Sequence, residues 1–344
     1  MKIGILTFYR AANFGGLLQA YAIGHCLQSR GHEIVYIEDP SQFPRRPSFM
    51  HCLIARSLRG LRMKYERWLS FEKVRFAAGA PTAGYGEHFD AVLVGSDQVW
   101  NSRWYGSPEL VEKMFLGWTE ESTKRIAYAA SFGGDTWAAL ETAARVGVLL
   151  RAFDAISVRE NSGRRLVAEL SGREDVSVLL DPVLLQEASF YWKLFDPRES
   201  ADRYVFSYML RWSKDGVPEA AALEAQRRFG KRVISSYAGD LVGTWLANLS
   251  GASCVVTNSF HGVAFAILFH RPFVALRLKG EYAGMNDRVE TLLSLVGLSE
   301  RFVCADDLVG IRQVVAADVD WAHVDRILTQ ERMKTDEFFK EAGL

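Results

Sequence analysis

The sequence predicts an α/β protein of two Rossmann-like, doubly wound domains, and three observations carry that expectation. The chain has 344 residues, about twice the usual domain size of ~150, so each half can bury its own core. Short apolar runs alternate with helical stripes at the spacing of strand–helix–strand crossovers, which are right-handed and build mostly parallel sheets. The alternation breaks after Asp181-Pro182 and then restarts. The expected domains are residues 1–190 and 203–318, followed by a helical segment over 319–344.

In order along the first half, residues 3–8 are a short apolar strand. Residues 15–29 carry Leu17, Leu18, Tyr21, Ala22 and Leu27 as a helical stripe. Gly31-His32 ends that helix before a strand over 33–37. Strands are expected at 89–94, 125–130, 155–158 and 176–180, with helices at 137–153 and 160–170. The polar run 197–202 fits a linker. In the second half, strands at 204–210, 233–236, 254–257 and 273–276 alternate with helices at 217–229, 241–249 and 262–269. Helices at 288–296, 307–317 and 321–342 close the chain. Two doubly wound halves place the site in the cleft between them, at the carboxyl ends of the strands.

Composition excludes several function classes. Forty-one Lys and Arg are balanced by 41 Asp and Glu, so the chain does not coat nucleic acid by bulk charge. At 49% hydrophobic and 24% charged it is neither low-complexity nor a highly charged disordered chain. No apolar stretch approaches the ~20 residues that span a bilayer, and no signal-peptide pattern opens the sequence. Cys26, Cys52, Cys254 and Cys304 are scattered without metal-site spacing. Reduced thiols, a cytoplasmic location and no bound metal are the expectation.

Residues 43–76 depart from the alternation. They hold nine Lys or Arg against Glu66 and Glu72, and Ile54, Leu58, Leu61, Tyr65 and Trp68 share one helical face. Such a helix suits either the surface of an anionic membrane or packing on its own domain with its arginines in water.

The segment Thr257-Asn258-Ser259-Phe260-His261-Gly262 is the strongest candidate for chemistry, because it turns from a strand into an apolar helix at the cleft. Short polar side chains and glycine cap a helix and leave backbone N–H groups for an anion. Histidine is the side chain that titrates near neutral pH, so His261 is a candidate acid or base; the alternative is a capping turn with His261 packed structurally. Asp97, in Val94-Gly95-Ser96-Asp97-Gln98-Val99-Trp100-Asn101, follows a first-half strand in the same way, as a base for a sugar hydroxyl or as a helix cap. Asn13-Phe14-Gly15-Gly16 opens the first helix, but its spacing is neither GxGxxG nor GxxxxGK[ST]. Asn13 is therefore either a plain cap or part of a substrate-contacting loop. Arg159 follows another strand, either pairing with Glu160 or facing an anionic substrate. Arg211 and Arg288 are the second-half cations best placed for a phosphate or carboxylate. Neither GxSxG nor HExxH occurs.

These segments together resemble the polysaccharide pyruvyl transferase family. The resemblance runs through LTFYRAANFGGLLQAYAIGHCLQSRGHEIVYI, VLVGSDQVWN, IAYAASFG, ISVRE, LLDPVLL, VVTNSFHGVAFAILFHRPFVAL and NDRVETLLSLVGLSERF, in that order. It implies an architecture similar to B-type glycosyltransferases, with the last helix crossing back to the first domain. It also implies transfer of pyruvate from phosphoenolpyruvate to sugar hydroxyls as a ketal, in cell-surface polysaccharide biosynthesis, without a cofactor. The acceptor is then a saccharide, lipid-linked or nucleotide-linked, with residues 43–76 as a dock at the inner membrane face.

Carried onto this sequence, the family histidine falls on His261 and the family leucine on Phe260, while Ser259 stands where the family has arginine. The catalytic pair implied is His261 and Asp97. Ser259, Asn258, Gly262, Arg211 and Arg288 are the donor-side candidates, and Asn13, Ser96, Ser131 and Arg159 the acceptor-side ones. His261 would protonate the donor's methylene carbon and Asp97 accept the hydroxyl proton. Two other readings use the same architecture: a glycosyltransferase with a nucleotide-sugar donor, and an inactive carbohydrate-binding member, which Ser259 keeps open.

Overall fold

The computed structural model describes residues 1–9, 13–38, 80–104, 107–196, 203–210, 217–230, 232–236 and 241–344. The basic segment 43–76, Cys52 and Arg211 lie outside the described residues. No helix of the described residues is long and apolar enough to cross a membrane.

The first sheet holds β1 (Lys2–Leu6), β2 (Glu33–Ile37), β3 (Thr82–Ala83), β4 (Ala91–Val94), β5 (Lys124–Ala130), β6 (Ala155–Val158) and β7 (Val176–Val178). All its pairings are parallel, in the order β3-β2-β1-β4-β5-β6-β7. Its helices are α1 (Phe14–Gln28), α2 (Pro108–Met114), α3 (Ala143–Arg151) and α4 (Asn161–Ser171), and the short α5 (Ala188–Tyr191) follows β7. The second sheet holds β8 (Tyr204–Tyr208), β9 (Arg232–Ser236), β10 (Cys254–Thr257), β11 (Phe273–Leu276) and β12 (Phe302–Val303). It too is parallel, in the order β12-β11-β10-β8-β9. α6 (Val217–Phe229), α7 (Val242–Ser250), α8 (Phe260–Leu268), α9 (Asp287–Leu295) and α10 (Leu308–Ala316) surround it, and α11 (Trp321–Glu341) ends the chain.

Strand order reverses between β1 and β4 in one sheet and between β8 and β10 in the other. At such a switch point the connections leave in opposite directions and open a crevice beyond the carboxyl ends. Asp97 follows β4 and His261 follows β10, so both lie just past a reversal.

α1 joins the two halves. Phe14, Leu17, Leu18 and Tyr21 pack with Phe206, Trp245 and Phe260 of the second domain. Ala20, Ile23, Cys26 and Leu27, on the other side, pack against the first sheet. A helix with apolar neighbours on both sides is apolar nearly all round, and the stripe expected from the sequence divides between its two buried faces, with Leu17, Leu18 and Tyr21 on one and Leu27 on the other. α11 is likewise divided: Val324 and Leu328 join the second-domain cluster, while Phe338 and Phe339 pack with Tyr128 of the first sheet.

Three expectations are corrected. The helix expected over 137–153 begins as a 3₁₀ turn at Leu140–Thr142, because Trp137 turns its indole N–H onto the Ala139 carbonyl at 2.7 Å. The chain after Asp181-Pro182 is no loose break: Pro182–Leu185 is a 3₁₀ turn capped by Asp181, with Val183 and Leu184 fully buried. α8 starts at Phe260 rather than 262, which moves His261 from a turn into the first turn of a helix.

Candidate functional site

The local sequence explains where His261 sits. β10 ends at Thr257, and Ser259 caps α8, its hydroxyl accepting the Gly262 N–H at 3.3 Å. Gly262 is required because any Cβ there would overlap Thr257 Oγ1. Across the junction, Asn13 caps α1 by accepting the Gly15 N–H at 3.1 Å. A Cβ on Gly15 would overlap His261 Nδ1, and one on Gly16 would stand 3.1 Å from Asp97 Oδ2. The glycine pair therefore lets the start of α1 lie between His261 and Asp97.

The imidazole meets Asp181 on its other nitrogen: Nε2 stands 3.4 Å from Asp181 Oδ2, at ion-pair distance but without hydrogen-bond geometry. Asp181 is the hub of a buried charge cluster. Its Oδ2 accepts from Arg159 Nη1 at 2.7 Å and lies 3.2 Å from Ser96 Oγ, while Oδ1 accepts the Val183 N–H at 3.1 Å. Arg159 also faces Asp97 at 3.7 Å and Glu160 at 3.9 Å, and its guanidinium lies over the Phe260 ring, 4.2 Å from the centroid.

Burying ions costs several kcal/mol each unless partners compensate, and the shifts show how this cluster does so. Burial works against the Asp181 carboxylate, but His261, Arg159 and the Val183 N–H outweigh it and hold its pKa well below the ordinary range. Burial likewise opposes the Arg159 charge, yet Asp181, Asp97 and Glu160 together push its pKa up. Glu160 is the exception: burial raises its pKa despite Arg159 and Arg288.

The structure brings together only part of the set expected from the sequence. His261 lies beside Gly15 and Asp97 beside Gly16 at the start of α1, and Arg159 adjoins both Asp97 and Asp181. Ser96 is fully buried, with Oγ 2.7 Å from the Ala129 carbonyl. Ser131 is equally buried and donates to Glu160 Oε1 at 2.9 Å. Asn258 spends its carboxamide on both the N–H and the C=O of Leu210, at 2.7 Å each, tying the end of β8 to β10. Arg288 is buried in α9, donating to the Met285 carbonyl at 3.1 Å and close enough to Glu160 to act on its charge. These side chains hold the site together from within.

Sequence reasoning misses Asp181, although LLDPVLL marks it at the end of a strand, because an aspartate before proline also suits a break between domains. It misses Gln19 too. That side chain is fully buried, donating to Thr7 Oγ1 at 2.8 Å and accepting the Ser96 N–H at 3.1 Å. A polar residue inside a helix carries no sequence signal for such a role.

Comparison with known structures agrees with this architecture. Arabidopsis thaliana UGT89C1 complexed with UDP aligns over 100% of this chain and 99% of its own, with TM-score 0.52 at 11% identity. UDP-GlcNAc 2-epimerase from Methanocaldococcus jannaschii aligns over 93% of each chain, with TM-score 0.49 at 12% identity. The Neisseria meningitidis UDP-GlcNAc 2-epimerase bound to UDP-GlcNAc aligns over 97% and 100%, with TM-score 0.47 at 9% identity. At 11% identity the likeness to UGT89C1 speaks to fold alone, a Rossmann-like arrangement of glycosyltransferase-B type. Among curated proteins no match was found. The family model "Polysaccharide pyruvyl transferase" matches residues 13–280, from the cap of α1 to beyond β11. A match of that extent, reaching strands of both sheets, makes the chain a member of the polysaccharide pyruvyl transferase family.

Proposed function

We propose that the protein transfers pyruvate from phosphoenolpyruvate to two hydroxyls of a sugar, forming a ketal and releasing inorganic phosphate. The observation that carries this reading is the placement of His261 and Asp97 on either side of the α1 glycine pair, at facing switch points. His261 is the proton donor to the methylene carbon, which leaves an oxocarbenium centre at the adjacent carbon. The first sugar hydroxyl adds there, and Asp97 takes its proton. The phosphate ester oxygen then leaves with that proton. The second hydroxyl closes the ketal, and its proton restores His261. The carbon–carbon π bond, the C–O bond to phosphate and two O–H bonds are exchanged for one C–H, two C–O and one O–H bond. Protons and electrons therefore balance.

Asp181 is a positioning residue in this scheme, holding the imidazole against Gly15. The Phe260 and His261 N–H groups at the start of α8 donate to no partner among the described residues, and an anion is favoured at such a helix end. They suit the donor phosphate, with Arg211 as an additional cation.

The test is phosphate release from phosphoenolpyruvate with a panel of glycosides, with the product analysed by mass for a pyruvate ketal. The parent protein is expected to release phosphate only when an acceptor is present. His261→Ala is expected to lower the rate at least ~100-fold. Full turnover by that variant would remove His261 from the acid role.

A further inference from the structure

Immediately along the chain from Arg159 and Glu160 the two domains flank an open polar cavity of about 490 Å³. Asp135, Asn161 and Arg165 line it from the first domain, and Arg277, Asp287 and Glu290 from the second. Ligand sites run from roughly 300 to 1,000 Å³, so the space accommodates a pyranose ring and part of its neighbour. The domains touch at its wall: a Cβ on Gly284 would stand 2.9 Å from Asp135 Oδ1.

The hydrogen-bonding state of this wall selects the ligand. α4 begins here, but its amides are already taken across the domain junction. Asn161 N–H donates to Thr291 Oγ1 at 3.2 Å and Ser162 N–H to Asp287 Oδ2 at 2.9 Å. The cations are partly used as well, Arg277 by Glu290 at 3.2 Å and Arg165 by the Asp135 carbonyl at 2.8 Å. The Asp135 carboxylate, Asp287 Oδ1, the Asn161 side chain and Nη1 of both Arg165 and Arg277 make no hydrogen bond among the described residues. Carboxylate oxygens accept from hydroxyls and guanidinium N–H groups donate to them, so this wall offers a sugar charge-assisted bonds of both kinds. Of the acceptor-side residues expected from the sequence, Ser96 and Ser131 are fully buried and bonded inside the protein, Asn13 caps α1, and Arg159 binds Asp181 through Nη1. Other groups are therefore needed beside them to recognise an acceptor.

We propose that this cavity is the acceptor-sugar subsite, taking a neutral pyranoside whose hydroxyls donate to Asp135 and Asp287 from opposite domains. The proposal rests on the pyruvyl-transfer reading for the identity of the bound sugar as acceptor. Because Asp287 also caps α4 from the other domain, sugar binding and the apposition of the domains share one carboxylate.

The test uses the full chain and the methyl α- and β-pyranosides of glucose, galactose, mannose and N-acetylglucosamine, with binding read by saturation-transfer NMR. Phosphoenolpyruvate is titrated separately by calorimetry. At least one pyranoside is expected to bind, and Asp135→Asn and Asp287→Asn are each expected to weaken it about tenfold or more. Phosphoenolpyruvate affinity is expected to stay within twofold of the parent's. The Asp135 side chain makes no hydrogen bond among the described residues, and the carboxamide introduced by Asp287→Asn keeps an oxygen for the Ser162 N–H. Melting temperatures should therefore match the parent's. The subsite is overturned if no pyranoside binds, or if binding is unchanged in both variants while phosphoenolpyruvate still binds. If pyranosides bind and respond to the variants but phosphoenolpyruvate does not bind the parent, the subsite stands and the pyruvyl-transfer reading fails.

Discussion

Asp181 gathers an arginine, a histidine, a serine hydroxyl and a backbone N–H around one buried carboxylate. Removing its charge leaves the Arg159 guanidinium and His261 facing Asp97 and Glu160 alone. Asp181→Asn is expected to cost ~3 kcal/mol or more, as breaking a buried ion pair does. The pH dependence has a definite sign. The native pKa of Asp181 is depressed, so its contribution is complete above the ordinary carboxylate range, about pH 4, and is lost as pH falls toward the native value. The difference in urea midpoint between parent and variant should therefore shrink from neutral pH to about pH 3. A difference that does not change with pH would mean that Asp181 acts by packing alone. Glu160 opposes this trend: its pKa is raised, so protonation at low pH relieves a cost of burial. His261 is legible in the sequence because its segment has a recognisable strand-to-helix chemistry. Asp181 is not, since an aspartate before proline reads equally well as a chain break.

At the scale of elements, the beginnings of α1 and α8 frame the candidate site, and glycine decides how close they come. Gly15 has no side chain because the imidazole of His261 occupies that volume. Gly15→Ala is expected to push the ring away from Asp181 and Asp97. We expect a loss of ~1–3 kcal/mol from overpacking and, under the proposed role of His261 as the acid, a fall in kcat of at least about 100-fold from its misplacement. The two are read by denaturation and by phosphate release, and a kcat near the parent's would show that the ring moves freely. Apolar runs locate the strands closely: 33–37, 155–158, 254–257 and 273–276 coincide with the observed bounds. The two-residue strands β3 and β12 escape such a reading, because two residues carry no period and pairing alone defines them. The start of α8 lies two residues earlier than its pattern suggests, since Ser259 and Gly262 cap equally well in either register.

At the scale of the molecule, the halves share a single apolar cluster through α1. Phe14 stacks on Trp245 with ring centroids 5.2 Å apart, although the two residues belong to different domains. Such sharing couples the domains, and the parent is expected to unfold in one calorimetric transition. Phe14→Ala should cost about 3–5 kcal/mol and separate the melting of the two sheets. Two resolved transitions in the parent would show that the junction contributes little. α11 reinforces the coupling: Phe339 stacks on Tyr128 at 4.9 Å, and Arg332 Nε donates to the Leu184 carbonyl at 2.9 Å.

By itself the sequence determined the two parallel sheets and their helices, and it singled out His261 and Asp97 as candidates, because periodicity and strand-end chemistry are local properties. It also carried the family resemblance, which the match over 13–280 establishes. Only the tertiary structure decided what those residues face. Gly15 lies beside His261, Asp181 completes the charge cluster, and Ser96, Ser131 and Asn258 turn inward. These are contacts between segments far apart in the chain, selected by the cost of burying each polar group without a partner, and that cost is set only when the domains close on one another.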